Sequence, residues 1–312
     1  PASVAVEDGA MVMDERGQLL VGLPGGYTGQ AGAVHLQRWV NGRWEVRQIL
    51  TAPAEHRHSG ARFGQALASH GRWLLVGSPR ETVEGLADAG AAYLFRRRTS
   101  DDGYELLTGG RLIQSGATVS GRRLGTAVAI GADFAAVGVP GHTAFGASQV
   151  GQVLNLARQP NDAWFITGVI NLPAGNPANG AAFGSALAMD ATGANLFIGA
   201  PDQTVADQAV AGRFYVYRHN AGNWQLRQQL SWTPTDLLDR FGAALVLAAD
   251  RLFVAAPARS KPGAAQTKGG GVRVYRRNVS LDSWVSEADL FPQSAQAGAR
   301  LDRKSTRLNS SH

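Results

Sequence analysis

The stretch RFGQALASHGRWLLVGSP, residues 62–79, contains the two elements on which the fold depends. The first is a Phe-Gly turn before a short apolar run, and the second is an apolar run that stops at a proline. The first element recurs as RLGTAVA (123–129), AFGSALA (182–188) and RFGAALV (240–246), with only SVAV (3–6) of it in the first unit. The second recurs as LLVGLP (19–24), AAVGVP (135–140), LFIGAP (196–201) and LFVAAP (252–257). Such internal similarity at a fixed period indicates a repeat architecture.

Two further elements complete each unit. After the proline and a loop, a glycine begins a third run, and an aromatic residue begins a fourth. The aromatic residues stand sixty positions apart, at Trp44, Tyr104, Trp164, Trp224 and Trp284. The runs are short, bounded by turn residues and rich in β-branched and aromatic residues, as strands are. Four strands per unit predict an all-β fold, a β-propeller of four-stranded antiparallel blades. The five units are roughly 1–61, 62–122, 123–181, 182–239 and 240–301.

Glycine and the aromatic series have specific predicted roles. The glycine after Phe63 or its equivalents permits a positive φ or a close approach of two backbones. The recurrence of the aromatic series at the fourth strand favours packing between blades over a carbohydrate-binding ladder.

Composition and charge exclude several classes of protein. The chain has no cysteine, which excludes disulfides, thiol catalysis and thiolate metal sites. No run of eighteen apolar residues occurs, so we expect no membrane span. Residues 302–312, DRKSTRLNSSH, resemble a translated sequencing adapter, and we treat them as a non-native tail. Without the net charge of +2 in this tail, the net charge of the chain falls from +6 to +4, which is too small to indicate a nucleic-acid-binding surface.

The repeat resembles the FG-GAP repeats of the propeller at the N-terminus of integrin α chains and of many bacterial secreted proteins. The resemblance covers 1–301. It rests on Phe63-Gly64 with Gly77-Ser78-Pro79, Leu124-Gly125 with Gly138-Val139-Pro140, Phe183-Gly184 with Gly199-Ala200-Pro201, and Phe241-Gly242 with Ala255-Ala256-Pro257. It implies a single propeller domain, usually of seven blades, of which about five are visible here, the outer two incomplete. It also implies an extracellular or cell-surface location.

The calcium loop of that family is missing. Family members place alternating Asp or Asn residues between the first two strands, and a calcium site needs six to eight oxygen ligands. The corresponding connections here are 69–73, 131–133, 190–195 and 248–250, and none has alternating carboxylates. We therefore predict no calcium, no other metal and no cofactor.

Candidate ligand-binding residues lie in the loops between the second and third strands, because constant strands with variable loops are typical of a scaffold that carries sites on its loops. These residues are Arg80, Glu81, Glu84, Asp88, His142, Asp202, Asp207, Arg259, Lys261 and Lys268. The resemblance implies that the connections 51–61, 113–122, 171–181 and 231–239 share their face of the propeller. We expect a protein or glycan partner on this loop face.

Motifs for catalysis are weak. The pair His56 and His58 has no evident third metal ligand, and no G-x-S-x-G elbow occurs. The first strands offer small apolar side chains to the propeller channel, which argues against catalysis there. The sequence therefore predicts no catalytic residue and no enzyme, but a non-catalytic extracellular module for binding, adhesion or scaffolding. The alternatives are a propeller hydrolase or lyase, or an accessory propeller of a secreted hydrolase or lyase whose catalytic part lies outside this sequence.

Overall fold

The computed structural model describes residues 9–26, 28–116, 118–144, 146–174, 179–233, 238–261 and 268–292. Across these residues it shows five four-stranded antiparallel sheets in a propeller arrangement, each built from four consecutive strands. The helical elements in these ranges are two 3-10 turns, Thr28–Gln30 and Ala54–His56. The predicted all-β propeller of four-stranded antiparallel blades is confirmed.

Blade 1 contains β1 (Met11–Met13), β2 (Leu19–Leu23), β3 (Ala33–Val40) and β4 (Arg43–Leu50). Blade 2 contains β5 (Ala66–His70), β6 (Trp73–Ser78), β7 (Ala91–Arg97) and β8 (Tyr104–Leu112). Blade 3 contains β9 (Val128–Ile130), β10 (Phe134–Val139), β11 (Gln152–Arg158) and β12 (Trp164–Asn171). Blade 4 contains β13 (Ala186–Met189), β14 (Asn195–Ala200), β15 (Arg213–Asn220) and β16 (Asn223–Leu230). Blade 5 contains β17 (Ala244–Ala248), β18 (Arg251–Ala256), β19 (Gly271–Asn278) and β20 (Ser283–Leu290).

The first blade differs from the expected pattern. The segment 3–6, assigned above to its first element, lies outside the described residues, as does the tail 302–312. The strand that pairs with β2 is Met11–Met13.

The chain divides into two compact units. The first comprises residues 1–142, 153–169 and 191–193, and the second comprises 143–152, 170–190 and 194–312. The first unit contains blades 1 and 2 with most of blade 3, and the second contains blades 4 and 5. That residues 1–301 form one domain stays a prediction.

The apolar residue of the Phe-Gly turn lies in the core between consecutive blades. Phe63 belongs to a buried cluster shared by blades 1 and 2, and Leu124 to one shared by blades 2 and 3. In the second unit, Phe241 joins the cluster between blades 4 and 5. Each of these side chains is almost completely buried. The turn therefore supplies one core residue to each of these interfaces.

The recurring glycines mark the points where consecutive blades approach most closely. A Cβ on Gly77 would lie 2.0 Å from the carbonyl oxygen of Gly125 in the next blade, far inside contact distance. In the second unit, the same atom on Gly199 would lie 2.1 Å from the oxygen of Gly242. Gly125 also has a φ of +88°, which a side chain disfavours. The two motifs thus recur together because the glycine of one meets the glycine of the other across the interface.

The aromatic series packs between blades, as predicted, at three positions. Tyr104 is buried against blade 1, and the ring of Trp164 lies 5.8 Å from that of Trp73. In the second unit, Trp284 lies edge-on to Phe197, with ring centroids 5.0 Å apart. Nothing in this packing resembles a row of sugar-stacking rings.

A glutamine reinforces two of these interfaces. The Gln48 side chain donates to the Tyr104 carbonyl oxygen and accepts from the Tyr104 amide, each at 2.7 Å. Gln228 and Trp284 repeat both bonds between blades 4 and 5. One side-chain amide therefore joins the outer strands of neighbouring blades in the way that a β-ladder would.

Within the described ranges, no helix has the length and apolar character that a membrane crossing requires.

Candidate functional site

The second residue after each strand-ending proline occupies an equivalent position in every blade. In blades 1, 2, 4 and 5 its carbonyl oxygen accepts a hydrogen bond from the glycine that begins or precedes the third strand, as in Glu81 with Gly90 (2.9 Å). This position, which we call the loop slot, holds Gly26, Glu81, His142, Gln203 and Arg259. Three of the predicted ligand-binding residues, Glu81, His142 and Arg259, therefore stand at the same distance from the strand-ending proline.

Glu81 is completely buried in this slot. Its carboxylate accepts a hydrogen bond from the Tyr93 hydroxyl (2.7 Å) and two from the Arg111 guanidinium (3.0 and 2.8 Å). Burial and then the Glu81 charge raise the pKa of Tyr93 far above its usual range. These bonds satisfy the carboxylate within the fold, and a buried carboxylate that loses such partners lowers the stability of the folded state. The structure therefore gives Glu81 an internal partner set and no open side.

The equivalent residues of the second unit are also enclosed. Gln203 accepts a hydrogen bond from the Tyr215 hydroxyl at 2.6 Å. Arg259 forms an ion pair with Asp239, and its guanidinium lies over the ring of Trp232, 5.0 Å from the centroid. Both slot residues are buried, so their polar atoms hold loops to the blade.

His142 differs from these residues because it is only half-buried and meets a buried cation. The Arg122 side chain is 5% exposed, and its Nη2 lies 3.0 Å from His142 Nδ1. The same nitrogen donates to the side-chain oxygen of Gln114. A guanidinium can only donate, so His142 Nδ1 accepts and the ring's proton lies on Nε2.

The electrostatics keep this imidazole neutral. Burial, and next the charge of Arg122, lower the pKa of His142 below 6.5. Burial also lowers the pKa of Arg122. At neutral pH the pair therefore presents a guanidinium and an Nε2–H donor, both suited to stabilising negative charge that develops on an oxygen.

A small cavity of about 10 Å³ adjoins Arg122, and a space of this size holds one water molecule. Glu84, Gln114 and Arg122 contribute to its lining. Glu84 lies at the tip of a tight turn closed by reciprocal hydrogen bonds between Val83 and Leu86, at 3.2 and 2.9 Å. A carboxylate, a cation and a place for water thus lie within one cluster, which we call the Arg122 site. Such a set can activate water and polarise a carbonyl group.

The other predicted residues lie apart from this site or at its margin. Arg80 is exposed, and Asp88 is partly buried with its carbonyl oxygen bonded to the amide of Arg123 (2.9 Å). Asp202 pairs with Arg240 at 2.7 Å in the second unit. The remaining exposed candidates of that unit are Asp207, Lys261 and Lys268. Of the ten, two therefore lie next to Arg122: Glu84 lines the cavity that Arg122 also lines, and His142 contacts the Arg122 guanidinium.

Sequence reasoning missed Arg122 and Gln114. The available signal was a charge at a position that is alanine in two other units, Ala61 and Ala181. A charged residue at an interior alanine position needs a local partner, and here the partners are Gln114 and His142.

Across the described ranges, no group of three or more His, Cys, Asp or Glu side chains is placed to hold a metal ion. The absence of a metal or cofactor stays a prediction.

Comparisons with known proteins found similar solved structures. No family model and no curated protein matches the chain. Among solved structures, it is similar to a candidate 6-phosphogluconolactonase from Bacteroides uniformis, with a TM-score of 0.55, 10% identity, and coverage of 90% of this chain and 69% of that one. It is also similar to the periplasmic gluconolactonase PpgL of Pseudomonas aeruginosa, with a TM-score of 0.53, 16% identity, and coverage of 92% and 70%. A candidate 6-phosphogluconolactonase from Bacteroides fragilis is similar as well, with a TM-score of 0.55, 12% identity, and coverage of 90% of this chain and 70% of that one.

These comparisons contradict two predictions. The prediction of a non-catalytic module for binding, adhesion or scaffolding is wrong, and so is the prediction that the chain is not an enzyme, because the similar structures include proteins named as lactonases, which are hydrolases. The error has a physical cause: a site assembled from separate loops leaves no contiguous motif. At these identities the likeness establishes the fold, a β-propeller.

Proposed function

We propose that the chain is a propeller hydrolase of the lactonase type, which opens the ring ester of a sugar-acid lactone at the Arg122 site. The observation that carries the proposal is the 3.0 Å contact between the buried Arg122 guanidinium and a neutral, half-exposed His142. The names of the similar propellers supply the reaction class.

The reaction needs a water nucleophile and stabilisation of one oxyanion. In this proposal the lactone carbonyl oxygen accepts hydrogen bonds from the His142 Nε2–H and from the Arg122 guanidinium. The Glu84 carboxylate takes a proton from a water molecule as its oxygen attacks the carbonyl carbon. The tetrahedral intermediate then expels the ring oxygen, which receives that proton from Glu84. The product is the open hydroxy acid, and each proton and electron pair is accounted for within the site.

The neutrality of His142 matters to this mechanism. A protonated imidazole beside Arg122 would place two cations in contact, which burial disfavours. The lowered pKa of His142 avoids this and leaves one N–H directed away from Arg122. His142 therefore acts as a donor to the oxyanion, and the base must come from elsewhere, which favours Glu84.

Two broader proposals accompany this one. The repeat is of the FG-GAP type, supported by Phe63-Gly64 with Gly77-Ser78-Pro79 and their equivalents, and the chain acts outside the cytoplasm. The periplasmic neighbour in Pseudomonas aeruginosa supports the location. The loop face, where a protein or glycan partner was predicted, becomes the face for a sugar-derived substrate.

The test is hydrolysis of glucono-δ-lactone and of 6-phosphogluconolactone by the purified chain, followed as proton release above the spontaneous rate. His142→Gln should lower kcat/KM by about 100-fold, the usual scale for a positioned proton donor, and Glu84→Gln by at least as much. His56→Gln, on the 3-10 turn Ala54–His56, is the matched control and should leave the rate unchanged. A folded wild-type chain that does not exceed the spontaneous rate with either lactone would refute the proposal.

A further inference from the structure

Two of the loops between second and third strands have the same length and the same hydrogen bonds, and each lies within one of the two compact units. They are residues 80–90 of blade 2 and residues 202–212 of blade 4. Each loop has a tight turn closed by a reciprocal pair of backbone hydrogen bonds. The bonded pairs are Val83 with Leu86 and Val205 with Gln208. The two loops therefore offer equivalent positions to their side chains.

Each loop also holds the Phe-Gly turn of the next blade in the same way. The amide of Arg123 donates to the Asp88 carbonyl oxygen at 2.9 Å. The amide of Arg240 donates to the Val210 carbonyl oxygen at 3.0 Å. Both arginines have a left-handed backbone, with φ of 58° and 55°. Positions 80 and 123 of the first unit are therefore equivalent to positions 202 and 240 of the second.

The charges at these equivalent positions differ. In the second unit, Arg240 Nη2 lies 2.7 and 3.0 Å from the two carboxylate oxygens of Asp202. In the first unit the corresponding residues are Arg80 and Arg123, so a second cation stands in place of the carboxylate. Both side chains are exposed, and among the described residues neither guanidinium has a hydrogen-bond or ion-pair partner. The first unit thus has two cations where the second has an ion pair.

Two cations at such positions favour a bound anion. Like charges that the fold brings close repel each other, and an oxyanion between them replaces the repulsion with two attractions. The planar fork of a guanidinium matches the oxygen atoms of a phosphate group. Within the described ranges, the loop carboxylates of Glu84 and Asp88 form no ion pair with either arginine. We propose that Arg80 and Arg123 form a phosphate-binding site at the place that corresponds to the Asp202 carboxylate.

The ligand of this site is inorganic phosphate or a phosphate monoester. Arg123 directly follows Arg122 in the chain, so a phosphate group carried by the substrate of the Arg122 site is one source, and this source rests on the proposed function. Free phosphate is the other source, and it needs no reaction at the Arg122 site. Both sources place the anion against the same two guanidinium groups.

The first experiment is a calorimetric titration of inorganic phosphate into the wild-type chain at neutral pH and low ionic strength, because salt screens exposed charges. We expect saturable binding with a Kd on the order of 1 mM. Arg80→Gln removes one charge-assisted contact and should raise the Kd about tenfold or more. Arg16→Gln, at an exposed arginine of blade 1, is the matched control and should leave the Kd unchanged.

Arg80→Asp tests the position of the site. The new carboxylate stands where Asp202 stands in the second unit, so it should pair with Arg123. Phosphate binding should then be lost, while the midpoint of thermal unfolding in phosphate-free buffer should not fall. A variant that still binds phosphate as the wild-type chain does would place the anion elsewhere and overturn the proposal.

The source of the phosphate is distinguished by titrating 6-phosphogluconate and gluconate. Binding of 6-phosphogluconate about tenfold tighter than inorganic phosphate would assign the phosphate group to the substrate, and equal or weaker binding would assign the site to free phosphate. A folded wild-type chain without saturable phosphate binding overturns the proposal, as does an equal loss of affinity in Arg80→Gln and Arg16→Gln. Because these titrations need no turnover, a chain that binds phosphate but hydrolyses no lactone refutes only the proposed function.

Discussion

Substituting Gly77 by alanine tests the explanation of the repeat motifs. The added Cβ would lie 2.0 Å from the carbonyl oxygen of Gly125 and 3.1 Å from the Cβ of Ala66. Ordinary contact begins near 3.4 Å, so the two backbones must separate by about 1.4 Å. Every residue of β6 is buried, so neither partner can move into solvent.

The expected cost follows from this geometry. Overpacking of a tight core usually costs about 1–3 kcal/mol, and the upper end applies because both groups belong to the backbone. We expect Gly77→Ala to lose about 3 kcal/mol of unfolding free energy. For a chain of 312 residues the midpoint of thermal unfolding should fall by about 5 °C.

The matched control is Gly168→Ala in β12. Its Cβ would meet only the Asn155 side chain, at 3.5 Å, and its φ is not positive. This variant should be neutral or slightly more stable, because alanine restricts the unfolded chain more than glycine does. Denaturant titrations of both variants, with reversibility checked, decide the matter. If Gly77→Ala falls within about 1 kcal/mol of Gly168→Ala, the close approach of backbones does not explain the motif.

Three further predictions concern side chains. Glu81→Gln should cost about 3 kcal/mol in a denaturant titration, because it leaves a guanidinium beside a neutral amide in a buried site, whereas the same change at the exposed pair of Glu105 should cost under about 0.5 kcal/mol. The pKa of His142 is lowered in the folded chain, so the unfolded chain binds the proton more readily and the wild-type chain should lose unfolding free energy as pH falls below 6.5. His142→Gln should lack this part of the loss, and equal profiles of unfolding free energy against pH for the two chains would contradict the prediction. Gln48→Ala leaves the amide and carbonyl of Tyr104 without their side-chain partner and should cost about 2 kcal/mol in thermal or denaturant unfolding; a neutral result would show that water replaces the amide.

The fold could be predicted from the sequence because its determinants are periodic. Short apolar runs, a proline that ends each second strand, and paired glycines at fixed spacing specify strands and their interfaces locally. The structure adds the reason for the pairing: Gly77 of one blade meets Gly125 of the next. The glutamine contacts were not predicted, because Gln48 and Gln228 look like ordinary polar residues of an outer strand until the neighbouring blade is in place.

The candidate site could be predicted only in part. The loops were correct places to look for polar groups, but sequence position does not tell a buried ion pair from an open one. Glu81 and Glu84 stand three residues apart, yet the first is enclosed by Tyr93 and Arg111 and the second is exposed. The difference arises from the turn closed between Val83 and Leu86, which a pattern of charges does not show.

The loop slot decides which polar residue is a candidate for chemistry. Glu81, Gln203 and Arg259 share a backbone position and are buried. Glu81 and Gln203 each pair with a tyrosine of their own blade, and Arg259 pairs with Asp239, which precedes the Phe241-Gly242 turn. In these three blades the side chain in the slot has a structural role, because its buried partner holds the loop to the rest of the fold. His142 departs from the rule: it is half-exposed, neutral, and fixed in one tautomer by Arg122. The residue at which a repeated structural position acquires an open side and a polarising neighbour is the one most able to act on a substrate, and this places the proposed chemistry at blade 3.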